Sequence, residues 1–192
     1  MTNPVFDQKD LRTTMGQFCT GVVVVTAAAV GGHGGYGGED VGEDAGEDAG
    51  ESDGNGDGGD HPAAFVAQSF VSLSLDPPLI AVCPAKSSSS WPKIRAAGAF
   101  CVNMLHSEQV ELCNQFARSG GDKFQGVDWR PGKTGAPVLA DALAWVECTL
   151  DNELEAGDHT IAIGRVQGFQ RLEEGGDPLL FFRGGYGTFA PT

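Results

Sequence analysis

The sequence predicts a mainly β, barrel-like α+β domain with short flanking helices, on three observations. Roughly seven segments are β-branched or alternate apolar with polar residues, helix signatures are confined to three short stretches, and no βαβ rhythm joins them. The first helix starts at Asp7, a good N-cap. Its segment "DQKDLRTTMGQF" sets Leu11, Met15 and Phe18 at i, i+4 and i+7, on one face. "TGVVVVTAAAV" follows as a β-branched strand. "AAFVAQSFVSLSL" reads as one strand with two unlike faces, Phe70, Ser72 and Ser74 against Val71, Leu73 and Leu75. "DPP" at 76–78 interrupts the run, and "LIAVCP" resumes it as a buried strand.

"SSSSWPKIRAAG" is a helix entry with serine caps, Pro92 in the tolerated first turn and Gly98 closing it. "AFCVNML" is a strand. "SEQVELCNQFARSGG" is a helix begun by Ser107, with Val110, Cys113 and Phe116 or Ala117 facing inward. After a loop through "DKFQGVDWRPGKTGAP", further strands are expected near 143–151, 159–171 and 179–183.

Residues 31–60 stand apart. Here G-E-D-x recurs from Gly38, Gly42 and Gly46, with glycine every fourth residue, like charges four apart and no apolar face. That composition predicts a disordered acidic loop inserted in a single domain spanning 1–192. Gly32, Gly34 and Gly37 match G-x-G-x-x-G, yet a dinucleotide fingerprint needs a helix behind it, and none can form here. Asp53, Asn55, Asp57 and Gly58 imitate the start of a calcium loop, but Ala64 stands where the bidentate Glu belongs, so no metal site is expected.

The formal charge of −14 comes mostly from this loop. Residues 39–60 hold ten carboxylates and no Lys or Arg, leaving 16 acids against 12 bases elsewhere, a net of −4. A mildly acidic body lacks the basic footprint of a nucleic-acid partner. Five cysteines without C-x-x-C or zinc spacing, four of them in apolar runs, read as buried free thiols of a reducing compartment. With no secretory leader and no membrane-length apolar run, the expected location is cytoplasmic.

Three stretches are candidates for chemistry, and each has a plainer reading. "KSSSSWP" sets Lys86 and four hydroxyls at a helix start, suited to a phosphate or simply to an over-capped surface helix. His159 in "EAGDHTIAIG" is a half-exposed imidazole at a strand start, either a donor to a ligand or structural. "AQSFVSLS" lines up an amide and hydroxyls along a strand, as a site edge or as a solvated face.

Together with "RTTMGQFCTGVVVVT", "SFVSLSLDPPLIAVC", "DKFQGVDW", "GAPVLADALAWVEC" and "PLLFFRGGYG", these pieces resemble the flavin reductase family over about residues 11–187, interrupted only by the acidic loop. The family comprises NAD(P)H:flavin oxidoreductases that serve two-component monooxygenases. The resemblance implies a split β-barrel of FMN-binding type, a homodimer, FMN or FAD together with NADH or NADPH, and a separate monooxygenase partner. By position it implies Ala67, Gln68 and Ser69 beside the isoalloxazine and Ser72, Leu73 and Ser74 further along the flavin. Lys86, Ser88 and Ser90 would hold its phosphate, and His159 would meet the nicotinamide. The chemistry so implied is hydride transfer from nicotinamide C4 to flavin N5, which needs no general base. A flavin-binding carrier or sensor on the same barrel is the alternative, because fold alone does not set function.

Overall fold

The computed structural model describes residues 6–30, 61–171 and 175–191. Helix α1 (Gln8–Met15) is capped by Asp7, whose carboxylate accepts from Lys9 N–H at 2.7 Å and Asp10 N–H at 3.1 Å. β1 (Thr20–Gly21) and β2 (Val23–Ala27) follow, then β3 (Ala63–Ala67), β4 (Val71–Leu75) and β5 (Pro78–Val82). Next come α2 (Trp91–Ala97), β6 (Ala99–Met104), a 3₁₀ turn (Ser107–Gln109) and α3 (Val110–Ala117). The chain ends with β7 (Trp129–Pro131), β8 (Pro137–Leu139), β9 (Ala144–Ala156), β10 (His159–Arg171), β11 (Leu180–Phe182) and β12 (Gly185–Gly187).

Seven strands pair in the order β3-β2-β6-β9-β10-β5-β4, so β3 and β4, consecutive in sequence, lie at opposite edges of one sheet. Six strand spacings of about 4.8 Å would hold those edges roughly 29 Å apart if the sheet were flat. The step from Ala67 to Val71 spans at most about 14 Å. The sheet therefore curls into a barrel that stays unpaired, or split, between β3 and β4. This corrects the reading of "AAFVAQSFVSLSL" as one strand: Gln68–Phe70 cross the gap and divide it into two.

β2 is buried at all five positions because it is covered on both faces. Val23 and Val25 face the barrel interior with Phe100, Val102, Trp91 and Ile94, the last two from α2. Val24 faces the other side, where α3 contributes Cys113 and Phe116. β2 and β3 pair antiparallel with Ala27 opposite Ala63, so the ends of the acidic stretch belong to neighbouring strands. The stretch itself, 31–60, lies outside the described residues. Gly98 ends α2 in the left-handed conformation at φ 68°, which suits a residue without Cβ.

Local reading missed the small hairpin β7–β8, which long-range polar contacts hold down. Asn103, fully buried on β6, donates to Pro137 O and accepts from Leu139 N–H at 2.9 Å. Glu147, fully buried on β9, accepts from Lys133 N–H at 3.1 Å, Thr134 N–H at 2.9 Å and Thr134 Oγ1 at 2.8 Å. A Cβ on Gly132 would collide with that carboxylate, so only glycine lets the loop close over it. All five cysteines are free. Cys101, Cys113 and Cys148 are buried as expected, while Cys83 is half-buried and Cys19 exposed. Burial, reinforced by the Glu147 charge, pushes the Cys148 thiol up to about 12.

Candidate functional site: a cleft at the split in the barrel

The crossing Gln68–Phe70 is anchored by Ser69, whose hydroxyl accepts from Cys83 N–H at 2.9 Å just beyond β5. Gln68 accepts from Thr20 Oγ1 at 3.1 Å. Past β5 the chain is stitched to the start of β10: Thr160 N–H donates to Pro84 O at 3.0 Å, and Lys86 N–H to Asp158 O at 2.9 Å. These contacts bring the β3 end, the serine run and His159 around one cleft of about 980 Å³.

Of the residues expected at a site, Ala67, Gln68, Ser69, Ser88, Ser90 and His159 line this cleft. Ser72, Leu73 and Ser74 sit on edge strand β4 outside its wall, with a register irregularity between Ser72 and Ser74. Lys86 is also outside the lining, its ammonium paired with the Glu155 carboxylate across on β9. The serine run splits its duties. Ser88 Oγ accepts from Trp91 N–H at 3.2 Å and so supplies the helix cap, whereas Ser90 makes no side-chain cap bond.

Ser90 instead receives a residue that local reading left in a loop, Lys123. Its ammonium donates to Ala64 O at 3.0 Å, Phe116 O at 3.1 Å and Ser90 Oγ at 3.4 Å, tying β3, α3 and the serine run together. Burial lowers its pKa, with repulsion from Lys93 adding to the effect. Arg118 and Ser119, just beyond α3, complete that side of the cleft. The only local hint of these residues was a helix end followed by "RSGGDK".

His159 Nδ1 lies 2.8 Å from Asp158 Oδ1, a contact that lowers the pKa of the Asp158 carboxyl through the hydrogen bond and the adjacent imidazole. With Nδ1 so engaged, Nε2 is the ring nitrogen left for a ligand. The cleft thus offers apolar walls from Phe65, Ala67 and Pro84, a hydroxyl-rich end with cations beside it, and an imidazole. That donor set suits a flat aromatic ring with an anionic tail.

A flavin reductase-like domain model matches residues 15–190. The chain belongs to the flavin reductase family. It is 41% identical over 188 residues to a probable flavin reductase of Rhizobium meliloti, covering 98% of this chain and 51% of that one, so it spans about half the length of that relative. It is 38% identical to the reductase subunit of a flavin-dependent monooxygenase from Rhodococcus jostii, over 96% of this chain and 80% of that one. Among solved structures, the NADH:FAD oxidoreductase of Streptomyces globisporus in complex with NAD and FAD fragments superposes with a TM-score of 0.76. That protein is 32% identical, with 98% of each chain covered. The family match and the strand order agree with the split barrel that the sequence led us to expect.

Proposed function

We propose that this flavin reductase passes a hydride from NADH or NADPH to FMN or FAD and supplies the reduced flavin to a separate monooxygenase component. The observation that supports it most is the convergence of Ala67–Ser69, the serine run and His159 on one cleft. When bound, the flavin is the acceptor of the nicotinamide hydride. The protein's part is to position and to balance charge. Ala67, Gln68 and Ser69 border the ring, with Ser72, Leu73 and Ser74 beyond it along β4. Ser88 and Ser90 donate to the phosphate. Lys86 joins them by leaving Glu155, an exchange of low cost because exposed ion pairs are worth about 0–1 kcal/mol. His159 presents Nε2 toward the nicotinamide, its ring held by Asp158.

The reading extends to a homodimer of single-domain chains in the cytoplasm, with 31–60 as an insert. One family model spanning 15–190 supports the single domain. Exposed apolar side chains on α1 and β4, such as Leu11, Met15, Val71 and Leu75, offer surface for a second copy. Free cysteines fit a reducing compartment. Among the described residues no helix is long and apolar enough to cross a membrane.

The test is steady-state oxidation of each nicotinamide with each flavin. Turnover that requires flavin in at least one pairing is expected. Flavin binding with no turnover in any of the four would leave a carrier or sensor instead. His159→Ala should raise the KM for the nicotinamide about tenfold, the size of one lost hydrogen bond of 1–1.5 kcal/mol, with flavin Kd unchanged. A matched loss of flavin binding and of Tm would make His159 structural.

A further inference from the structure

Of residues 83–90, Lys86 alone does not line the cleft. Its backbone is pinned, because Ala85 bridges to His159 and Lys86 N–H donates to Asp158 O at 2.9 Å. Only the flexible side chain is free to choose a direction, and its ammonium turns to the Glu155 carboxylate. Glu155 stands opposite Thr160 in the β9–β10 ladder, one position along from His159. Two other carboxylates share this end of the hairpin, and each has a different task. Glu153 accepts from Trp91 Nε1 at 3.0 Å and pairs with Arg95 at 3.5 Å, which fixes α2, while Asp158 holds the His159 ring at 2.8 Å. The Glu155 carboxylate has no partner but Lys86 among the described residues. Both members of that pair are exposed, so it adds little to stability and acts chiefly on where the ammonium sits.

We infer that Glu155 is an affinity-setting residue that competes with the flavin phosphate for Lys86. The inference rests on the reading that Lys86 joins Ser88 and Ser90 at that phosphate. A phosphorylated flavin must draw the ammonium away from Glu155 to gain its charge, whereas riboflavin makes no such demand. Carboxylate and phosphate are alternative partners of one ammonium, so the exchange needs no movement of the backbone. Glu155 thereby holds phosphorylated flavins below the affinity that the cleft's own donors could reach. Such a limit serves a protein that hands its reduced flavin to a separate oxygenase, since a tightly held flavin leaves slowly.

The test titrates FMN and riboflavin into the full chain and into Glu155→Gln, Lys86→Gln and the double variant. Glu155→Gln should bind FMN about threefold tighter, the scale of one exposed ion pair, and release it more slowly by a similar factor, with riboflavin unchanged. Lys86→Gln should weaken FMN, and adding Glu155→Gln to it should bring no gain. An equal gain from Glu155→Gln with and without Lys86 would reduce Glu155 to general repulsion of the phosphate and overturn the competition. A gain shared by riboflavin would overturn it too, and so would weaker FMN binding by Glu155→Gln, which would mean that Glu155 holds Lys86 in place for the ligand. No change in FMN for Glu155→Gln, with Lys86→Gln still weakening FMN, overturns the inference and leaves the phosphate reading standing. No effect of Lys86→Gln on FMN overturns the reading of Lys86, and the inference with it.

Discussion

Combining Lys86→Gln, Ser88→Ala and Ser90→Ala should weaken FMN binding about a hundredfold and riboflavin binding less than about threefold. Only FMN carries the phosphate. Each hydrogen bond to a charged group contributes about 1.5–3 kcal/mol, and a hundredfold is about 2.7 kcal/mol. The sum is set well below three full bonds for two structural reasons. Lys86 is already engaged by Glu155, so part of its gain is spent on the exchange. Ser88 already accepts from Trp91 N–H, although its hydroxyl proton is available for an anion. Ser90 is buried against Lys123, so riboflavin affinity and Tm serve as the control for local collapse. Equal losses for FMN and riboflavin would move the phosphate elsewhere, and Arg118, which also lines the cleft, would be the next residue to replace.

The second large effect is on stability. Glu147→Ala should cost about 4 kcal/mol, read as a shift in the urea midpoint at constant m. The carboxylate is fully buried and accepts two backbone amides and one hydroxyl of the Lys133–Thr134 turn. Its removal strands those donors at about 1–3 kcal/mol each, offset in part by entry of water into the space left. A loss of that size is a large share of a typical 5–15 kcal/mol domain stability. Glu147→Gln keeps one acceptor oxygen and should cost about half as much. A loss below about 1 kcal/mol for the alanine variant would show that the β7–β8 hairpin is held by Asn103 and packing alone.

These two sites differ in how far the sequence disclosed them. The serine run, the αL glycine after α2 and the three valines of β2 carry local signals, because capping, chain reversal and burial on both faces act on consecutive residues. The family resemblance picked out Ala67–Ser69 and His159, in stretches that the fold brings together. The division of "AAFVAQSFVSLSL" left no local trace. Both halves alternate as strands, and only barrel curvature, set by the order of seven strands, requires the break at Gln68–Phe70. Glu147 reads as a polar residue in "AWVEC", and its partners lie 13 and 14 positions away. Lys123 sits in an irregular segment, yet it becomes half-buried because α3 carries it against β3. Residues whose roles depend on distant strands are the ones that periodicity and capping rules pass over.

The account stands most directly on a single-turnover experiment without oxygen. Protein loaded with flavin is mixed rapidly with NADH or NADPH carrying deuterium at C4, and the visible absorbance of the oxidised flavin is followed. Wild type should bleach the flavin with each competent nicotinamide, more slowly with the transferred position deuterated, and His159→Ala should need more nicotinamide to reach the same rate. Bound flavin that stays oxidised with both nicotinamides would contradict the assignment of this cleft to hydride transfer.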